Sequence, residues 1–218
     1  LSSSSAASDV YKRQFMVQLF LDGGNFMWPI LGIGIIGLIF VFERLYHLIS
    51  GLSANESFAL KIAETTKSKG FDDALSECDE AIGPVANLCY NALECAPKGV
   101  EEAEKALDQT GGIEMASLEK NMTWISLCIA TAPMLGFLGT VWGMIQAFND
   151  IKMANDISPA VVAGGISVAL LTTAFGLVVA VVLQLLQNAV MYIIDNQIVA
   201  MQKSSTMLLQ AIADSDKK

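Results

Sequence analysis

The chain has 218 residues, with 13 Lys and Arg against 22 Asp and Glu, one His and a formal charge of −9. Hydrophobic residues make up 53% and charged residues 16%, too few charges to cover a globule unless they are segregated along the chain. This excludes a fibrous, collagen-like, disordered or disulfide-scaffold protein, and a negative balance without a basic patch excludes nucleic acid as a partner.

Leu1 to Gln14 is rich in Ser and Ala, has no apolar period, and lacks the basic-then-apolar order of a signal peptide. Residues 1–15 therefore read as a non-native or disordered leader ahead of Met16. Three long uncharged stretches follow. Phe26 to Phe42 is a 17-residue run closed by Glu43 and Arg44. A bilayer core about 30 Å thick takes about 20 residues of helix, so Leu19–Leu21 and Leu45–Ile49 are expected to extend this run. Pro29 falls in its first turn, where a missing N–H does little harm. Met122 to Phe148 is uncharged for 27 residues and Ile157 to Ile194 for 38. The most apolar part of the last is Val161 to Leu183, and Gln184, Gln187 and Asn188 read as its exit from lipid. The expected fold class is an all-α membrane protein with three transmembrane helices and long cytoplasmic helical extensions.

Between the first two spans the chain reads as helical hairpins. Ser53 to Lys69 is one helix, ended by Gly70. Phe71 to Ala81 is a second, ended by Gly83 and Pro84. Val85 to Glu94 is a third, stopped near Pro97 and Gly99. Val100 to Lys120 opens on Glu101, Glu102 and Glu104, which suit a helix N-terminus, and runs into span two with no breaker except Gly111 and Gly112. Lys and Arg set the orientation. Arg44, Lys61, Lys67, Lys69, Lys98, Lys105 and Lys120 follow span one, and Lys203, Lys217 and Lys218 follow span three, whereas the 149–158 loop holds only Lys152. The N-terminus is then periplasmic, and the 51–120 segment and the C-terminus are cytoplasmic. Glu43 and Arg44, at the cytoplasmic end of span one, read either as partners of another helix or, the favoured expectation, as a solvated pair at the membrane interface.

The four Cys (Cys78, Cys89, Cys95 and Cys128) form no CxxC pair, and His47 stands apart from them. No metal site follows from this spacing, and reduced thiols are expected in the cytoplasmic part. No phosphate loop, dinucleotide fingerprint or nucleophilic triad is present, so neither a cofactor nor an enzyme activity is expected.

Spans two and three share a second pattern. Gly165, Ala169, Thr172, Thr173, Gly176 and Ala180 fall within an arc of about 100° on a helical wheel. Ala132, Gly136, Gly139, Thr140, Gly143 and Ala147 do the same, and Gly139 with Gly143 has the GxxxG spacing of close helix packing. The face either packs helices together or, with its hydroxyls, lines a narrow path. Thr131, Thr140, Thr172 and Thr173 can each bond a carbonyl of their own helix and do nothing else, yet they are among the few groups with exchangeable protons in mid-span. These spans hold no Asp, Glu, Lys, Arg or His. An intramembrane carboxylate is the usual group for loading and releasing a proton, so a partner would have to supply it.

The blocks ATAPMLGFLGTVWGM (Ala130–Met144) and GISVALLTTAFGL (Gly165–Leu177) resemble those of the MotA/TolQ/ExbB proton-channel family, most closely its ExbB branch, and the likeness runs from Met16 to about Met207. The resemblance implies a pentameric ring in the bacterial inner membrane around the helix of an ExbD-like single-span partner carrying an intramembrane Asp. Proton flow through it would energise a TonB-like protein for transport across the outer membrane. It implies that Thr140 and Thr173 line the pore, with Thr172 and Thr131 ranking lower, and that Pro133 kinks span two. Gly136, Gly139, Gly143, Gly165, Ala169 and Gly176 would pack subunits or face the central helices. Residues 16–50 would hold the periplasmic N-terminus and first span, 51–120 the cytoplasmic domain, 121–194 the channel core, and 195–218 a cytoplasmic helix and tail. One position departs from many relatives: Val168 stands where they carry Glu. A TolQ-like role in envelope integrity and a non-conducting scaffold are the competing expectations.

Overall fold

A computed structural model of the protein describes residues 14, 17–50, 56–68, 70–154 and 159–215. The leader reading of residues 1–15 thus lies, Gln14 apart, outside the described residues, as does the expected helix start at Ser53. In chain order the helices are α1 (Met27–Ser50), α2 (Glu56–Ser68), α3 (Phe71–Asp79), α4 (Pro84–Cys95), α5 (Val100–Leu118), α6 (Met122–Ala154) and α7 (Pro159–Ser215), with a 3₁₀ turn at Ala96–Lys98. Among the described residues, three stretches are long and apolar enough to cross a membrane: Met27–Ile49, Val100–Met153, which takes in α6 as far as Met153, and Val162–Asp214. The fold is all-α with three candidate spans.

Several boundaries differ from the sequence reading for identifiable reasons. Leu19–Leu21 does not lengthen span one: residues 17–22 are helical, but the Gly24 N–H turns back to the Leu21 carbonyl (3.3 Å) and Gly24 has φ +74°. That conformation suits Gly and breaks the helix before Met27. At its other end span one does extend past Glu43, through the expected Leu45–Ile49, to Ser50. The break before span two falls not at Gly111 and Gly112, which stay helical, but at Asn121, whose φ of 65° is one that Asn tolerates better than most residues. The expected 149–158 loop is helical through Ala154, and 155–158 lies outside the described residues. Gly70, expected to end α2, has φ +101° and caps the start of α3. Pro84 opens α4, as its fixed φ favours. After Gly176, α7 meets no Gly or Pro, so span three and the C-terminal helix form one 57-residue element.

Two compact units, described separately, share the chain: the part up to Val41 with Thr123–Gln187, and Phe42–Met122 with Asn188–Lys218. In the first, α1 lies on α7 and α6. A β-carbon at Gly37 would stand 2.6 Å from Leu183 Cδ1 and 3.2 Å from Cys128 Cβ, so an added methyl at that crossing would displace the buried Leu183 side chain. Phe40 stacks on Trp124 with ring centres 6.3 Å apart. Large apolar side chains such as Ile35, Ile39, Phe137 and Leu170 are exposed, as befits helices bordered by lipid or by other helices.

In the second unit Ile62, Leu88, Leu93, Leu107, Leu208 and Ile212 form the core. Arg44 is 2% exposed rather than solvated. It holds Glu43 through Nη2 (2.6 Å) and Nε (2.9 Å), and its Nη1 donates to the Ser117 carbonyl at 3.3 Å. Asn121 Nδ2 donates to the same carboxylate at 3.1 Å. The guanidinium therefore ties the end of α1 to the end of α5. Arg44→Met, which keeps the apolar stem and removes the fork, is expected to destabilise the unit by about 2–4 kcal/mol. Thermal unfolding in detergent checks this, with Lys105→Met on the exposed Lys105–Glu102 pair expected to stay within about 1 kcal/mol.

Cys78 and Cys89 are buried in the same core, and burial pushes both thiols up to about 12. Folding favours the protonated thiol, so this contribution to stability is complete below the ordinary thiol range and lost as pH rises through it toward about 12. The thiolate is the nucleophile, and at pH 8 its population at these sites is about a thousandfold below that of a free thiol. Maleimide is therefore expected to label half-buried Cys95 first and to reach Cys78 and Cys89 only on unfolding, as timed mass spectrometry can follow.

Candidate functional site

The α6 and α7 stripes meet each other within one chain. A β-carbon at Gly176 would stand 2.6 Å from the Ala132 carbonyl oxygen, and one at Gly136 would stand 3.0 Å from the Thr172 carbonyl oxygen and 3.1 Å from Thr173 Cα. At Gly139 it would lie 2.7 Å from Thr172 Oγ1, and at Gly143 it would meet Ala169 at 3.2 Å. Gly165 faces Ala147 in the same way. The two helices therefore touch along five levels, a closeness that small residues permit.

The four threonines stand in different positions along this seam. Thr172 is 1% exposed, and its Oγ1 donates to the Ala169 carbonyl at 2.8 Å, within its own helix. Thr131 donates to the Leu127 carbonyl (2.8 Å) and Thr140 to the Phe137 carbonyl (2.6 Å), both also within α6. Thr173 alone among the four reaches across: its Oγ1 donates to the Gly136 carbonyl at 3.2 Å. By α-helix geometry that carbonyl also accepts the N–H of Thr140, four residues on. The half-buried Thr140 and Thr173 are thus joined through one acceptor, one turn from Pro133. α6 is continuous through Pro133, whose missing N–H leaves the Ile129 carbonyl without its helical donor. Val168 lies where a β-carbon at Gly24 would meet its Cγ1 at 3.3 Å, an apolar contact near the turn before α1.

A second polar level lies where the sequence alone marks only an exit from lipid. Gln187 Nε2 donates to Ser126 Oγ at 2.6 Å, across α7 and α6, and Gln184 Nε2 stands 3.5 Å from Gln187 Oε1. The signal was present: Gln184 and Gln187 follow Thr173 by 11 and 14 residues, which returns both to within about 40° of its face. Ser126, in α6, carries no such mark by itself.

The sequence profile described as the MotA/TolQ/ExbB proton channel family matches residues 80–203. A biopolymer transport protein ExbB homologue of Methanothermobacter thermautotrophicus is 32% identical over 185 residues, 84% of this chain and 65% of that protein. An ExbB-like biopolymer transport protein of Synechocystis is 29% identical over 188 residues, 82% of this chain and 72% of that protein. The biopolymer transport protein ExbB of Xanthomonas campestris is 41% identical over 81 residues, 37% of this chain and 32% of that protein. The chain spans just under two thirds of the Methanothermobacter protein. With the matched region covering more than half of the sequence and the whole of both stripes, this chain belongs to the MotA/TolQ/ExbB proton channel family.

Proposed function

We propose that this chain is an ExbB-type subunit of a proton-driven complex in the bacterial inner membrane, with its N-terminus periplasmic and its C-terminus cytoplasmic. Copies of it, five by analogy with the family, surround the single span of an ExbD-like partner whose Asp carries the proton. The motion is passed to a TonB-like protein that drives transport across the outer membrane. Thr140 and Thr173 border the path, and the small residues hold α6 and α7 together as one wall.

The observation that supports this most is the chemistry left out of that wall. Two helices in contact over five levels carry hydroxyls bonded to carbonyls and no Asp, Glu, Lys, Arg or His between Met122 and Phe148 or between Val162 and Ile194. Such a wall can hold water and donate hydrogen bonds, but it cannot load a proton, so coupling needs a carboxylate from elsewhere. Val168 agrees with this, since it adds no charge. The test is co-reconstitution with the ExbD-like partner in liposomes enclosing a pH dye. Proton influx is expected with the pair, to vanish when the partner's Asp is changed to Asn, and to be absent with either protein alone. A well-assembled complex without influx would leave a passive scaffold.

A further inference from the structure

The Ser126–Gln187–Gln184 level stands inside the apolar layer rather than at its edge. Leu183, next to Gln184, packs where a β-carbon at Gly37 would stand 2.6 Å from its Cδ1. Gly37 precedes Glu43, the first charged residue of α1, by six residues, or about 9 Å of helix rise. Ser126 lies two residues beyond Trp124, which stacks on Phe40, still ahead of that charge. Groups at such a depth forgo full hydration and keep their hydrogen bonds within the protein, as the 2.6 Å contact between Gln187 and Ser126 does.

The level also shares a face with the threonines. Gln184 is rotated from Thr173 by about 20° and stands about 16 Å further along α7. Between them the seam is shut, because Gly176 lies against the Ala132 carbonyl. Any water file must then follow the edge of the seam, where Thr173 is half-exposed and Gln184 exposed. Resting on the reading above, we propose that Gln184, Gln187 and Ser126 form a second polar station of the proton path, toward the Glu43 end of the spans. The amides do not titrate. They anchor water, along which hydronium moves to or from the partner's carboxylate, and the Thr140–Thr173 level anchors water at the other end of its travel.

The experiment uses the same liposome complex. Gln187→Leu removes the interhelical bond at similar volume and is expected to lower partner-dependent proton influx about tenfold, with Ser126→Ala giving a smaller loss. Gln187→Glu puts a titratable group on the path, so influx is expected to gain a dependence on the pH of the Glu43-side compartment that the wild type lacks. Complex size by light scattering and helicity by circular dichroism are expected to match wild type. If Gln187 only fixes helix register, assembly or melting would shift while influx per complex and its pH profile stayed as in wild type, and the proposal falls while the channel reading stands. If the wild-type pair conducts nothing, both fall.

Discussion

Gly176→Ala is expected to lower the stability of the detergent-solubilised chain by about 2–3 kcal/mol or more. The reason is what the added methyl meets. At Gly176 the neighbours are the Ala132 carbonyl oxygen at 2.6 Å, Gly136 Cα at 3.2 Å and the Ala132 carbonyl carbon at 3.3 Å. All are backbone, so no rotamer change relieves the clash, and α7 must move off α6. At Gly139 the obstacle is the Thr172 side chain, with Oγ1 at 2.7 Å and Cβ at 2.8 Å. That side chain is buried and tied to the Ala169 carbonyl, so Gly139→Ala should cost less, about 1–2 kcal/mol. Gly112 in α5 has nothing within 4 Å, and a helix-interior Gly→Ala change with free space gains about 0.5–1 kcal/mol. Thermal unfolding followed by circular dichroism should therefore order the three as Gly176→Ala, Gly139→Ala, Gly112→Ala from least to most stable. Equal shifts would mean that α6 and α7 do not meet through this face.

The contact that makes Gly176 sensitive is also what sequence expresses well. Small residues every three or four positions on both helices, with GxxxG spacing, can be read directly because helical periodicity is rigid and each small residue leaves a gap that only another backbone fills. What the stripes face is harder to read. An arc on a wheel carries no label for its neighbour. Helix packing is one of the two readings of the stripes, but the wheel does not say which helix, and the resemblance points to other subunits or central helices rather than to the facing stripe of the same chain. Helix ends were legible where Gly or Pro compels them, as at Gly83–Pro84. They were misplaced where one Asn in the left-handed region does the work, as at Asn121, because Asn occurs in many conformations. Arg44 illustrates a further limit. Its burial depends on Ser117, 73 residues later, and local pattern cannot distinguish a guanidinium that finds such a carbonyl from one left in water. Ser126 was invisible for the same reason, since a serine acquires meaning only from Gln187 on the facing helix.

Thr140→Val with Thr173→Val is expected to reduce partner-dependent proton influx roughly tenfold to a hundredfold while leaving the complex assembled. Valine keeps the volume and branching of threonine and removes only the hydroxyl. At position 173 the loss is the hydrogen bond to the Gly136 carbonyl, and at 140 the bond to the Phe137 carbonyl. Both carbonyls keep their helical N–H donors, so neither substitution strands a buried acceptor, and the fold should lose no more than about 1–2 kcal/mol. The effect on conduction is larger because these hydroxyls stand half-exposed, able to turn toward water. A net hydrogen bond worth about 0.5–1.5 kcal/mol, lost at two points of a water file, raises the barrier by about 1–3 kcal/mol, and each 1.36 kcal/mol is tenfold in rate. Thr172→Val should do much less to influx, since the Thr172 hydroxyl is buried and turned into its own helix. Thr140→Ser with Thr173→Ser should restore most of the influx, because serine returns the hydroxyl without the methyl. Influx traces from the liposomes separate these cases. If the double valine variant conducts like wild type while the partner's Asp→Asn change still abolishes influx, the proton path runs along another face of the helices and the polar groups at the α6–α7 seam serve packing alone.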